Sequence, residues 1–414
     1  MPVAPAMLKP PSAATKTTMG QERTAGLPQL ILLLAASCMA PLGAVLIAPV
    51  LPQMAREFAG TPGVDVLIPV VLTVPALVIG LTAPFAGFFI DKVDRKRLLL
   101  VALVAYAVFG TAPLYLDSLN AIIVSRVLVG ATEAAIMTCC ATLIGDYWSG
   151  ARRAKYLGFQ TLVTTIAATV FLAAGGALGA AGWRTPFWLY AVAALLAVPV
   201  VRVIWQPAGH PAGHLGEGHL ERLPWRQLAG PYLVTFAGGI VFFALVVQLP
   251  FVLAGIGVTA PSAIGGISAL MSLATAVGAG VFPLLTRRTP RTLLPVELGL
   301  CAAGLVTVFA AGSVPVLTIG AVLTGFGTGL LLPTLLTWAV NRLHFEQRGR
   351  GTGAWTGILS VGQFISPLTV AVVGVGAGGL QPALGVLGVA TAVMAVLVAL
   401  TIPRDAEPLT VSHG

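Results

Sequence analysis

The chain has 414 residues, 57% of them hydrophobic and 9% charged, where soluble domains carry about a quarter of their residues as charges. A water-soluble enzyme or binding module is excluded on that ground. The net charge of +9 does not indicate nucleic-acid binding, which needs a basic soluble face; membrane orientation and anionic lipid account for it.

Residues 1–27 read as a cytoplasmic tail, polar and rich in Pro, Ala and Thr up to residue 23, with no cleavable leader. Beyond it, uncharged runs such as 66–90, 227–286 and 351–403 match or exceed the roughly 20 apolar residues that cross a hydrocarbon core. They predict twelve transmembrane helices, over 28–50, 64–86, 98–116, 119–145, 156–180, 185–204, 229–253, 262–285, 293–311, 315–340, 353–376 and 380–401. The runs are continuous and do not alternate, so they are helices and not barrel strands.

With the N-terminus inside, every basic residue falls on the cytoplasmic side except Arg56 and Arg184, outside, and Arg126, within a helix. One missed helix would reverse everything after it, so the charge asymmetry also tests the count. Both termini are then expected in the cytoplasm, at the inner membrane of the cell. Residues 206–228 form the longest polar stretch and divide a first six-helix bundle, 28–205, from a second, 229–402, followed by a tail over 403–414. An internal repeat supports the division: residues 130–158 align without gaps on 325–353, an offset of 195, with Gly130 on Gly325, Arg153 on Arg348 and Gly158 on Gly353. The expected fold class is an all-α membrane protein of two pseudo-symmetric six-helix bundles.

The local motifs follow in chain order. "LGAVLIAPVLP", residues 42–52, places Leu42, Gly43, Pro49 and Pro52 toward the outer end of the first helix. "GFFIDKVDRKR", residues 87–97, crowds six charges between two uncharged runs, with Gly87, Asp91, Lys92, Arg95 and Lys96 in order. In the fourth helix, Arg126, Gly130 and Glu133 share one face, because seven residues are almost two helical turns. A charge inside a membrane helix is costly and marks a functional candidate. A carboxylate out of water favours its neutral form, which suits Glu133 to binding and releasing a proton or pairing with a cation. "FLAAGG", residues 171–176, supplies Gly175 and Gly176 for close helix packing. Gln248 in helix seven and Gln363 in helix eleven are candidates to line a cavity, Glu297 is placed near enough to Arg291 to reach the interface, and His210, His214, Glu217 and His219 form a solvated run in the linker. Cys38, Cys139, Cys140 and Cys301 lie in apolar segments and imply neither a disulfide framework nor zinc spacing.

The charged loop resembles that between helices two and three of the major facilitator superfamily, with Asp94 where the family has Gly. The resemblance implies that Asp91, with Arg95 as partner, helps lock the two bundles in one state. Leu42, Gly43, Pro49 and Pro52 resemble the first-helix motif of its twelve-helix drug:proton antiporters, and Arg126 with Gly130 resembles the fourth-helix motif. The fifth-helix antiporter motif is incomplete, since Phe171 and Leu172 stand in place of Gly-Pro. The function expected is secondary active transport by alternating access, with proton-coupled efflux of small hydrophobic or cationic compounds. Proton-coupled uptake or exchange of a small organic anion at Arg126 is the alternative, and a non-transporting membrane sensor a third. No catalytic constellation, cofactor or metal is expected. The expected partners are protons, a small-molecule substrate and lipid; no nucleic acid is expected, and the chain should act as a monomer.

Overall fold

The computed structural model describes residues 24–85, 93–206, 223–344, 347–403 and 409. Twelve helices among them are long and apolar enough to cross a membrane. They are α1 (Leu27–Glu57), α2 (Val64–Phe85), α3 (Arg95–Leu114), α4 (Leu119–Tyr147), α5 (Gly150–Gly179), α6 (Thr185–Val203), α7 (Trp225–Gly255), α8 (Pro261–Leu285), α9 (Pro290–Phe309), α10 (Val314–Val340), α11 (Arg348–Ala377) and α12 (Leu380–Thr401). Several run past the apolar segment visible in the sequence: α5 begins at Gly150 rather than 156, α11 at Arg348 rather than 353, and α1 continues to Glu57. Hydropathy detects only the lipid-crossing part, whereas a helix can continue into the interface wherever long basic side chains reach water.

The pairing of helices repeats after six. In the first half α4 packs on α2 and α3, α6 on α3, and α5 on α1; in the second α10 packs on α8 and α9, α12 on α9, and α11 on α7. The halves join through two related seams, α5 on α8 and α11 on α2. Glycine sets the distance of approach within each half: a Cβ at Gly130 would lie 2.7 Å from Pro75 Cα of α2, and one at its repeat partner Gly325 would overlap the Met271 carbonyl of α8.

Proline breaks α1 into shorter pieces, Leu27–Ser37, Met39–Val45, a 3₁₀ turn at Ala48–Val50, and Leu51–Glu57. Pro49 lies in that turn and Pro52 in the first turn of the last piece, where a missing N–H is tolerated. The Val50 amide donates to Ile47 O at 3.1 Å, leaving Leu46 O without its usual amide four residues on, and that carbonyl rests against Gly175 of α5. A Cβ at Gly176 would lie 2.5 Å from Pro261 O and 2.8 Å from Gly265 Cα of α8. The broken end of α1 also meets α7 and α8, so the halves are sealed at the end of the molecule carrying Val50, Gly179 and Pro261. The other end carries Arg95, Lys96, Arg152, Arg153, Arg287, Arg288, Arg342 and Arg348 and is called the basic end below.

Candidate functional site

A cavity of about 450 Å³ lies between the halves, on the basic-end side of that seal, and takes its walls from α1, α2, α4, α5, α7, α8, α10 and α11. Most of the wall is apolar, from Ala40, Leu72 and Pro75 to Phe242, Phe243 and Met271, with hydroxyls from Thr161, Thr164, Thr165, Ser272, Thr275, Thr328 and Ser360 and one amide, Gln363. Among the described residues, Glu133 is the only charged one in the lining. It is 2% exposed, and its Oε2 has no hydrogen-bond partner. The carboxyl fits there because residue 43 has no side chain: a Cβ on Gly43 would lie 2.5 Å from Glu133 Oε2 and 3.1 Å from the Tyr106 hydroxyl. Tyr106 donates to Met39 O at 2.6 Å, fixing α3 to α1 beside the acid. Leu42, next to Gly43, is buried in the core.

Arg126 stands on the same face of α4 and about two turns away, outside the cavity lining. It is fully buried. Nη1 donates to the Tyr190 hydroxyl at 2.8 Å, and Nη2 to Phe109 O at 3.3 Å and Gly110 O at 3.2 Å. The first of those carbonyls is free because Pro113, four residues later, has no N–H to offer. The guanidinium carbon lies 4.7 Å from the Tyr190 ring centroid and 5.4 Å from that of Phe187, so aromatic faces and carbonyls take the place of a counter-ion. The Tyr106 and Tyr190 rings, 5.3 Å apart, stand between the two charges. About 10 Å of helical rise separates Arg126 from Glu133, and the two form no ion pair. Gln248 is buried in α7 and likewise outside the lining.

At the basic end, Gly87, Asp91 and Lys92 lie outside the described residues. The rest of that motif is tied to its neighbours. Asp94 caps α3, accepting the Arg97 amide at 2.9 Å; a side-chain cap does there what a glycine could not. Arg95 forms an ion pair with Asp146 at the end of α4, and its amide donates to Gln206 Oε1 at 3.0 Å. Lys96 donates to Val201 O of α6 at 2.8 Å. These bonds draw α3, α4 and the end of α6 together.

Sequence reasoning missed Asp146, Tyr106 and Tyr190. Asp146 was accessible to it, as an acid at the basic-end terminus of α4 that aligns on Asn341 in the repeat; the tyrosines gave no signal, because nothing in a linear sequence shows that two rings thirty or more residues from their partners converge. Glu297 does not reach the interface. It is 1% exposed, lies with its Oε1 at hydrogen-bond distance, 2.7 Å, from the Thr334 hydroxyl oxygen, and is enclosed by α9 and α10; six residues beyond Arg291 it is already below the helix end, and its side chain points into the bundle.

Comparison with known proteins agrees with this architecture. Multidrug resistance protein 2 of Bacillus subtilis is 26% identical over 171 residues, 40% of this chain and 41% of that protein. The multidrug efflux protein YfmO of the same organism is 27% identical over 243 residues, 58% of this chain and 60% of its own length, and the class C tetracycline resistance protein of Escherichia coli is 29% identical over 167 residues, 39% and 41%. The chain thus spans between 41% and 60% of the length of these relatives. Among solved structures, a bacterial homologue of the human lysosomal transporter Spinster, in an inward-facing and occupied conformation, superposes with a TM-score of 0.75 over 92% of this chain and 99% of its own, at 14% identity. The sequence profile of the Major Facilitator Superfamily matches residues 33–314 and 259–413, and the chain belongs to that superfamily of membrane transporters.

Proposed function

We propose that the chain is a proton-coupled exporter of small hydrophobic or cationic compounds, working by alternating access between its two halves. The observation that carries the reading is Glu133 as the single charge, among the described residues, in an otherwise apolar and hydroxyl-bearing cavity. A carboxyl in that setting holds either a proton or a cation, because burying both leaves a net charge in low dielectric. Binding of one expels the other, and coupling follows from that exclusion. Arg126 serves this cycle from behind the wall, where its aromatic and carbonyl cradle fixes α4 against α3 and α6 and keeps a positive charge on the Tyr190–Tyr106 side of the acid. The relatives named for multidrug and tetracycline resistance support the direction. Uptake of an organic anion needs a cation in the cavity wall, and Arg126 is not there.

The basic end is assigned to the cytoplasm of a cell's inner membrane by its positive residues, and the chain is assigned as a monomer. Asp91, Lys92, Arg95 and Lys96, behind Gly87, are assigned to gating, with the Arg95–Asp146 pair as the part that ties the start of α3 to α4. The test is reconstitution in liposomes under a pH gradient, with lumenal pH followed while lipophilic cations and small carboxylates are added. Proton movement evoked by a cation and lost in Glu133→Gln is expected, with a fall of at least about 100-fold in coupled flux, as for loss of a group on which a whole proton-transfer step depends. Movement evoked only by a carboxylate, unaffected by Glu133→Gln, would overturn the reading.

A further inference from the structure

Glu297 is the only acid between residues 223 and 344, and it takes no part in the central cavity. Among the described residues, the helices packed on it bring no charge. α10 and α12, the helices packed on α9, contain no titratable side chain over Val314–Val340 and Leu380–Thr401, and the titratable group near it is Cys301 of α9 itself, buried one turn on. Arg291, at the start of α9, is turned toward α12 and donates to Ile402 O at 2.7 Å.

The hydrogen count at Thr334 decides the state of this acid. Thr334 Oγ1 lies 2.7 Å from Glu297 Oε1 and 3.0 Å from Leu330 O, both at hydrogen-bond distance. A hydroxyl has one hydrogen. If it served the carboxylate, its oxygen would face the Leu330 carbonyl with nothing between; if it served the carbonyl, an ionised carboxylate would face the hydroxyl oxygen in the same way. Both contacts are satisfied when Glu297 carries the proton, donates it to Thr334, and Thr334 donates to Leu330 O. The second carboxyl oxygen, Oε2, is buried without a partner, which costs far less for the carbonyl of a neutral acid than for an anion.

We propose that Glu297 is a second proton-holding site, separate from Glu133, whose proton joins α9 to α10 through Thr334. Its position gives the proton something to act on. Pro333, beside Thr334, cannot bond to Gly329 O, so α10 lacks an internal bond where it passes from the cavity-lining Gly329 and Leu332 to Thr334. Loss of the proton turns the Thr334 hydrogen from Leu330 O to the carboxylate and changes the support of the helix at that weak turn. The state of Glu297 is thereby transmitted to the cavity wall without the acid touching substrate.

Infrared spectroscopy of the purified full chain at neutral pH tests this in a Glu133→Gln background, where the cavity acid no longer contributes. Glu297→Gln is expected to remove a protonated-carboxyl C=O band, and Thr334→Val to move that band to higher frequency as its hydrogen bond is lost. A Glu297→Gln spectrum that loses only carboxylate stretches would overturn the proposal. Should that variant fail to fold, Thr334→Val decides alone, a shifted band supporting the site and an unshifted spectrum refuting it. The readout involves no transport, so its outcome is independent of whether Glu133 exchanges protons for cations.

Discussion

Glu133 and Thr328 stand at the same position in the two halves, 195 residues apart, and both line the central cavity. One half presents a carboxyl there; the other presents a hydroxyl already engaged with its own helix, within hydrogen-bond distance of Thr324 O and Gly325 O. The contrast extends outward. α4 carries the buried Arg126 and ends in the Arg95–Asp146 pair, whereas α10 has no charged residue and ends at Asn341, which donates to Leu409 O at 2.9 Å. The one acid of the second half's helices, Glu297, lies behind the cavity wall and not in it. Equal backbones thus carry unequal chemistry: the first half supplies charge to the cavity and the second a neutral surface against which a bound molecule can pack. On the proposed function, protonation of Glu133 would alter the affinity of the first half without acting directly on the second.

The largest expected effect beyond the loss of coupling in Glu133→Gln is on stability, at Arg126. Arg126→Met keeps an unbranched stem and removes every donor, leaving the Tyr190 hydroxyl oxygen and the Phe109 carbonyl buried without a partner. Each orphaned acceptor costs about 1–3 kcal/mol, so a loss of about 3 kcal/mol is expected, read as a lowered unfolding midpoint in detergent. Glu133→Gln should leave that midpoint nearly unchanged, since Oε2 has no partner to lose. Equal midpoints for the two variants would erase the distinction between a structural charge and a working one.

A smaller effect is expected from making the first half resemble the second. Asp146→Asn installs the residue found at Asn341 and removes the charge that Arg95 meets, both side chains being 21% exposed. Partial exposure limits the coupling to about 1 kcal/mol, to be measured in a double-mutant cycle with Arg95→Gln. A coupling indistinguishable from zero would assign the pair to topology alone and remove it from gating.

The twelve helices, the repeat and the uneven placement of basic residues were all legible because each is a periodic or cumulative property of the chain. Glu133 was legible too, since a charge in an apolar run needs no partner to be noticed. What stayed hidden depends on convergence. Tyr106 and Tyr190 acquire their meaning only where α3 and α6 bring them to α4, Gly43 only because Glu133 lies against it, and the sequence distance from Arg291 to Glu297 does not show that the rotamer turns the carboxyl to Thr334. Helix ends such as Gly150 and Arg348 are hidden for a related reason, hydropathy being blind to turns that continue outside the lipid.

The smallest expected effect concerns Asp94, where the superfamily's loop pattern has glycine. Its side chain accepts the Arg97 amide at 2.9 Å and so occupies one of the donors left open at the start of α3. The start of α9, the corresponding helix of the second half, is made differently: Thr289 precedes it without a side-chain cap, and Pro290 at the first position has no amide to satisfy. Asp94→Ala should therefore lower the unfolding midpoint by the equivalent of about 1 kcal/mol, and Asp94→Gly by only a few tenths, because glycine is itself tolerated as a cap. The ordering carries the argument, since loss of charge is the same in both variants. If Ala and Gly proved equally costly, the contribution of Asp94 would be electrostatic, through Arg97 at 3.5 Å, and raising the salt concentration would then abolish it.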